Sequence, residues 1–477
     1  MQNSEALFRD KPVWQAIFSL VGPSILSVLV MVVYNMTDLF FIGLLRDTAQ
    51  TAAVSLVSPV FTLVSAGATV LGMGGCAVAA ASLGAGDVQD VRTVSSLCGW
   101  CAVLTGAVLA VGLNLGCGPI LTMLGANAEI FPFAQSYLRI LALGAPAMLF
   151  SVGAATLLRA DGAIRWGLVG NLAGSLTNIV LDPLFILAFG WGIAGAAAAT
   201  VLGNLVACAF YLVYMLRHSR VLSLAPADAL RDPARLGRVL ALGLPNGVSS
   251  LLAGCAGSFS NRLLAGYGTA ALAAMAAADK ATMVVSLVQM GICMGVQPLL
   301  AYNVGARDLG RLRAVIRRLL ALTVGFGAVF AAACLLGQEA LLRLFLSDAE
   351  ALALGRRLLP WLLLGSPLLG VYYLGVNFLQ ASGRAVAATV LSALRQGALL
   401  LPALYLLHAL LGLPGLAAAR AAADVLGAGI AALLFAAAWR GLTRRWGGEG
   451  CPLGLVAPAS AFIMSRRLSL FLELCRR

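Results

Sequence analysis

Asn178-Ile179-Val180-Leu181-Asp182-Pro183 sets a carboxylate inside an apolar run that extends from about Ile164 to Leu187. At about 1.5 Å per residue, such a run is long enough to cross a bilayer as a helix. An Asp in the middle of a membrane helix costs about 3 kcal/mol on insertion scales, so it usually faces protein or a water-filled cavity. Asn178 precedes Asp182 by one turn, which puts the amide and the acid on one helix face. Pro183 has no N–H to give the carbonyl of Ile179, and this loosens the helix beside the acid. An acid, an amide and a freed carbonyl suit a cation or a proton. Read alone, the stretch also admits a carboxylate near the membrane surface that only caps its helix.

Composition extends the membrane reading to the whole chain. Of 477 residues, 61% are hydrophobic and 11% charged, against about 25% charged in a soluble domain. The fold class expected is an all-α polytopic membrane protein. The net charge of +13 lies mostly in loops and tails, so it reports topology, and no nucleic-acid partner is expected. The Cys residues are scattered through apolar segments as small hydrophobes. Cys98 and Cys101 form a C-x-x-C without further thiol or His partners, which is not a zinc or redox pattern. No cleavable signal peptide is expected, because Met1–Lys11 is polar and the first apolar run is too long.

Twelve spans are expected, at roughly 14–44, 50–82, 93–117, 131–158, 164–187, 192–216, 237–264, 269–304, 315–337, 353–381, 385–411 and 415–439. Pro23 and Pro59 are candidate bends. Of the 32 Lys and Arg, 23 fall on the side that holds the N-terminus and four on the other, which puts both termini in the cytoplasm. The chain also repeats itself. Gly84-Ala85-Gly86-Asp87 returns as Gly305-Ala306-Arg307-Asp308, and Leu143-Gly144-Ala145-Pro146 returns at the same offset as Leu364-Gly365-Ser366-Pro367. A parallel duplication of this kind makes two six-helix lobes related by a pseudo-twofold along the membrane normal. The division expected is a first lobe at 1–217, a linker at 218–236, a second lobe at 237–440 and a tail at 441–477. In the tail, Leu455–Met464 is too short to span, and the basic, amphipathic Arg466–Arg477 suits the membrane surface.

Topology gives a depth test for the polar residues within spans. Asp38 stands about six residues, roughly 9 Å, from the outer end of span 1. Asp182 is about five residues, roughly 8 Å, from the outer end of span 5, and Thr200 about eight, roughly 12 Å, below the start of span 6. Two acids, Asn178 and a hydroxyl can therefore meet at one depth. Two acids in one low-dielectric site cannot both ionise cheaply, so they share a proton or a cation. In the second lobe Asp38 aligns with Ser260, and Asp182-Pro183 falls near Leu401-Pro402. That lobe offers Lys280 beside Asp279, where mutual neutralisation is expected, and Arg395-Gln396, Arg420 and Asp424. Met275, Met283 and Met290, with Gln289 and Gln297 among them, form a row on span 8. Tyr372, Asn377 and Arg395 add polar and aromatic edges, so these eight are the candidate substrate-contacting residues, although a Met row is also ordinary packing. No nucleotide loop, zinc motif or nucleophile elbow appears, and no enzyme is expected.

Several motifs together resemble the multidrug and toxic compound extrusion (MATE) family, in its bacterial multidrug-efflux branch. They are Pro23 with Tyr34-Asn35-Met36-Thr37-Asp38, Gly170-Asn171 through Asn178 to Asp182-Pro183, and Gly192-Ile193-Ala194-Gly195-Ala196-Ala197 into Thr200. Gly295-Val296-Gln297-Pro298, Tyr302-Asn303-Val304-Gly305-Ala306 and Arg395-Gln396-Gly397 complete the set. The resemblance covers about Val13 to Arg440. It implies a central cleft for amphipathic, often cationic drugs and export driven by H⁺ or Na⁺, without any other cofactor. It also implies that Asp38, Asn178, Asp182 and Thr200 form the ion site, where Na⁺ would bind if it is the coupling ion. Tyr34 would stand nearby, and Pro23 and Pro183 would permit bending. The implied setting is a monomer in the bacterial cytoplasmic membrane. An exporter of lipid-linked saccharides from the same superfamily is the alternative; it would call for a strongly basic cavity and extra spans, which the sequence lacks.

Overall fold

The structure, a computed structural model, describes residues 6–346 and 348–446; the tail segments 455–464 and 466–477 lie outside the described residues. Among the described residues, twelve helices are long and apolar enough to cross a membrane. They are α1 (Val13–Leu44), α2 (Thr48–Gly84), α3 (Val88–Leu115), α4 (Phe131–Ala160), α5 (Ile164–Ala188) and α6 (Ile193–Arg217). The second set is α7 (Arg235–Tyr267), α8 (Thr269–Gly305), α9 (Leu309–Leu336), α10 (Ala349–Ala381), α11 (Ala385–Leu411) and α12 (Leu413–Trp446). No strand occurs among the described residues. α1 and α2 run as helices through Pro23 and Pro59. α12 extends beyond the apolar limit near residue 439, because its basic last turn, with Arg444 and Arg445, complements the helix dipole.

The duplication is visible in local geometry as well as in sequence. Asp87 caps α3 by accepting from Asp90 N at 2.9 Å, and its repeat counterpart Asp308 caps α9 by accepting from Arg311 N at 2.8 Å. Such caps contribute about 1 kcal/mol each. α4 and α10 both close on a glycine in the left-handed region, Gly162 at φ 70° and Gly383 at φ 76°; a side chain would be strained there. Val108 and Leu115 are exposed on α3, and their counterparts Val329 and Leu336 are exposed on α9. Apolar side chains left open in matching places mark lipid-facing surfaces. The repeats differ at the fourth helix of each half. α4 passes Pro146 unbroken, whereas α10 is interrupted at Gly365, just before Pro367.

The chain divides into two compact units, the first built from Phe18–Gly247 and the second from Val248 onward together with Pro12–Ile17. In the first, α4 packs on α2, α3 and α6, and α5 packs on α6. Ile42, Val57, Leu121, Leu138, Ile186 and Ile193 are buried in one apolar cluster there. The linker is fastened along α3. Ser223 N donates to Ser95 Oγ at 2.9 Å, Ser96 Oγ to Ala225 O at 2.7 Å and Trp100 Nε1 to Leu224 O at 3.1 Å. Within it, the Ser223 hydroxyl donates to Asp228 at 2.6 Å and holds that carboxyl below the usual carboxylate range. In the second unit, α8 packs on α9 and α10, and α12 packs on α10 and α11.

Candidate functional site

The first unit brings Asn178, Asp182 and Thr200 into direct contact. Asn178 Nδ2 donates to Asp182 Oδ1 at 3.3 Å along one face of α5, and lies 3.4 Å from Thr200 Oγ1 on α6. All three are buried, with Asp182 0% exposed. Glycines make the approach of the two helices possible. A Cβ at Gly203 of α6 would lie 2.6 Å from Gly174 O, and one at Gly174 of α5 would lie 2.7 Å from Gly203 O. The residue-203 Cβ would also stand 3.3 Å from Asn178 Cβ. Two backbones in contact one turn from the polar groups let a short amide span the gap. Beyond Pro183, the chain takes a π-helical turn over Leu184–Ala188, an irregularity that recurs at functional sites.

α1 supplies the second acid. Asp38 lies within electrostatic reach of Asp182, and Tyr34, one turn earlier, stands beside Asp38, Thr200 and Asp182. Asn35 and Thr37 of the same helix turn back on their own backbone, donating to Met31 O and Val33 O at 2.8 Å each. Further along α1, Asn171 Nδ2 of α5 donates to Ser27 O at 3.3 Å, and Ser27 Oγ donates to Pro23 O at 2.9 Å. Those bonds tie α5 to the turn that follows Pro23.

The site contains a member that sequence reasoning missed. Tyr137 of α4 is buried and within electrostatic reach of Asp38, Tyr34 and Asp182. It is six residues, about 9 Å, into α4, so the depth test would have found it had it been applied to hydroxyls on every span.

Three buried oxygens here accept no hydrogen bond among the described residues: Asp38 Oδ1, Asn178 Oδ1 and Asp182 Oδ2. Unpaired acceptors inside protein cost about 1–3 kcal/mol each, more when charged. A proton or a cation supplies what they lack, so this donor set fits H⁺ or Na⁺.

The second unit holds the other candidates. Met275 is 2% exposed in an apolar cluster with Leu264, Leu359 and Leu416, Met290 is half-buried and Met283 is exposed. Gln289 Nε2 donates to Thr323 O and Ser366 O, at 3.0 Å each, across the break in α10. Gln297 Nε2 donates to Gln380 Oε1 at 3.1 Å, and Asn377 Nδ2 to Tyr373 O at 2.8 Å. These amides bond to neighbouring helices or to the backbone of their own. Tyr372 and Arg395 do meet, with the guanidinium 4.6 Å from the ring centroid. One expectation is corrected: Asp279 pairs with Arg420 of α12, not with Lys280. Neighbours in a helix point about 100° apart, so Arg420, facing the acid from another helix, makes the direct contact while Lys280 acts on it through space.

The family model for MatE matches residues 23–184 and again 245–406, one copy in each half of the chain. The chain is 30% identical over 409 residues to the multidrug export protein MepA of Staphylococcus aureus (strain MSSA476), covering 86% of this chain and 90% of MepA. The corresponding protein of Staphylococcus saprophyticus is 29% identical over the same length. Among solved structures, the MATE transporter VcmN of Vibrio cholerae in its bent form is similar with a TM-score of 0.84 and 25% identity, over 93% of this chain and 99% of VcmN. With both halves matched by one family model and a multidrug exporter similar along most of its length, this multi-pass membrane chain belongs to the MATE family of multidrug efflux transporters.

Proposed function

We propose that the protein is a secondary active antiporter. It exports amphipathic, often cationic small molecules from the cytoplasm in exchange for H⁺ or Na⁺ entering through the Asp38–Asn178–Asp182–Thr200 site. The observation that carries this reading is the set of three buried oxygens on Asp38, Asn178 and Asp182 that have no donor among the described residues, which a mobile cation satisfies and a static protein leaves unpaired. With the site empty of cations, the two carboxylates repel each other and attract a cationic drug. Ion entry removes both effects. Asp38 rides on α1 and Asp182 on α5, so the repulsion bears on the separation of those helices. Pro23 leaves α1 short of one backbone hydrogen bond, and bending there costs little. The ion shifts the equilibrium between drug-accepting and drug-releasing states only by its different affinity for the two. The excess of basic residues on one side of the spans supports both termini in the cytoplasm of a bacterium, with the protein in the cytoplasmic membrane. A monomer suffices for this scheme.

The test is efflux of a fluorescent lipophilic cation from proteoliposomes with a pH or a Na⁺ gradient imposed separately. Acceleration by one gradient, lost on its collapse, is expected; transport indifferent to both gradients overturns the proposal.

A further inference from the structure

Three charged side chains of the second unit, Arg395, Arg420 and Asp424, line one cavity that the ion site does not use. Its volume is about 220 Å³, and Arg395, Gln396, Arg420 and Asp424 line it together with Thr282 and Gly257. Arg395 Nε and Nη2 donate to Asp424 Oδ1 at 2.9 and 2.6 Å, and its guanidinium lies over Tyr372. Arg395 sits on a π-helical turn, Leu394–Leu399, within α11. Arg420 pairs with Asp279 of α8. Arg420 and Asp424 are one turn apart on α12, so the two ion pairs stack about 6 Å from each other along that helix. The pairs are unequally open. Arg395 and Asp424 are 12% and 16% exposed, Arg420 and Asp279 30% and 34%.

Ion pairs that served only to clamp α8, α11 and α12 would be packed over by side chains, because water-filled space beside a clamp weakens it. Here open room adjoins Arg395 and Asp424 and the Arg420 side of the second pair. The lining carries both signs, two guanidiniums and one carboxylate, and this limits what enters. A guest of single charge satisfies one side of a pair and leaves the other uncompensated in a medium of low dielectric. A guest that carries both signs joins the pair and keeps every charge matched, with the planar guanidinium receiving a carboxylate.

We propose that this cavity is a binding site for a small zwitterion, whose carboxylate meets Arg420 and whose ammonium meets the Asp424 carboxylate about one helical turn away. Arg395, held by Tyr372 and Asp424, fixes the floor. The site stands on second-unit geometry alone and does not depend on ion coupling at Asp182.

The test uses the full chain in lipid nanodiscs and isothermal titration with three matched probes. These are 4-(aminomethyl)benzoate, its methyl ester, which is only cationic, and its N-acetyl derivative, which is only anionic. Saturable one-to-one binding of the zwitterion is expected, with each analogue at least tenfold weaker. Gly257→Leu fills the cavity without touching a charge, since nothing lies within 4 Å of a Cβ built there. It should weaken the zwitterion at least tenfold, while Asp182→Asn leaves it unchanged. Absence of saturable zwitterion binding, equal binding of all three probes, or unchanged binding by a Gly257→Leu protein that melts like wild type overturns the proposal. If Gly257→Leu does not fold, the three-probe comparison on the wild-type protein decides.

Discussion

Asn178 gives its amide N–H to Asp182 Oδ1 at 3.3 Å, while Asp182 Oδ2 has no donor among the described residues. The carboxylate is thus held at one oxygen and open at the other. That is the arrangement of a group positioned to take up an ion and release it, and it makes Asp182 the first residue to perturb.

Asp182→Asn keeps the size of the side chain and removes its ability to bind a proton or balance a cation. Melting in detergent should stay within a few degrees of wild type, and gradient-driven efflux should disappear. A well-folded variant that exports at the wild-type rate would show that Asp182 is not an ion ligand.

Asp38 and Asp182 lie within electrostatic reach of each other, so neutralising one should alter how the other titrates. The measurement is drug or Na⁺ binding against pH in Asp38→Asn, Asp182→Asn and the double variant. The double-variant shift should differ from the sum of the single shifts. Additive shifts would mean two separate sites.

Tyr137→Phe removes one hydroxyl from the buried surroundings of both acids. The hydroxyl acts on both acids through space, so coupling-ion affinity should fall when its dipole is removed. Drug binding to the ion-free protein should change little. Equal ion affinity in the two proteins would reduce Tyr137 to packing.

Gly203→Val drives a Cβ to within 2.6 Å of Gly174 O and 3.3 Å of Asn178 Cβ. Overpacking of this kind costs about 1–3 kcal/mol. Asn178 should lose Thr200, so both the melting temperature and ion-driven efflux should fall. Unchanged efflux would separate the α5–α6 approach from the function of the site.

Pro23→Ala restores a backbone donor and stiffens α1. Drug affinity should stay near wild type while gradient-driven flux drops, both measured on the same preparation. Loss of binding and flux in equal proportion, or of neither, would argue for rigid movement of the helices instead of bending.

The sequence by itself determined the twelve helices, the duplication and the shared helix face of Asn178 and Asp182. Apolar runs of bilayer length specify helices, since no other open backbone satisfies its hydrogen bonds in lipid. The duplication is written in short motifs, such as Gly84-Ala85-Gly86-Asp87, that return at a constant offset. A four-residue spacing puts Asn178 and Asp182 on one face, because side-chain direction within a helix follows its period. What that period does not specify is which face of one helix meets which face of another. Packing decided that Asn178 reaches Thr200, through contact of the α5 and α6 backbones at Gly174 and Gly203. It added Tyr137 from α4 to the acids. It turned Gln289 and Gln297 into links between helices, and it matched Asp279 to Arg420, far along the chain, in place of the adjacent Lys280. Neighbours in a chain are fixed by covalent geometry. Neighbours across a bundle are fixed by the sum of all its contacts, and no local stretch of sequence contains that sum.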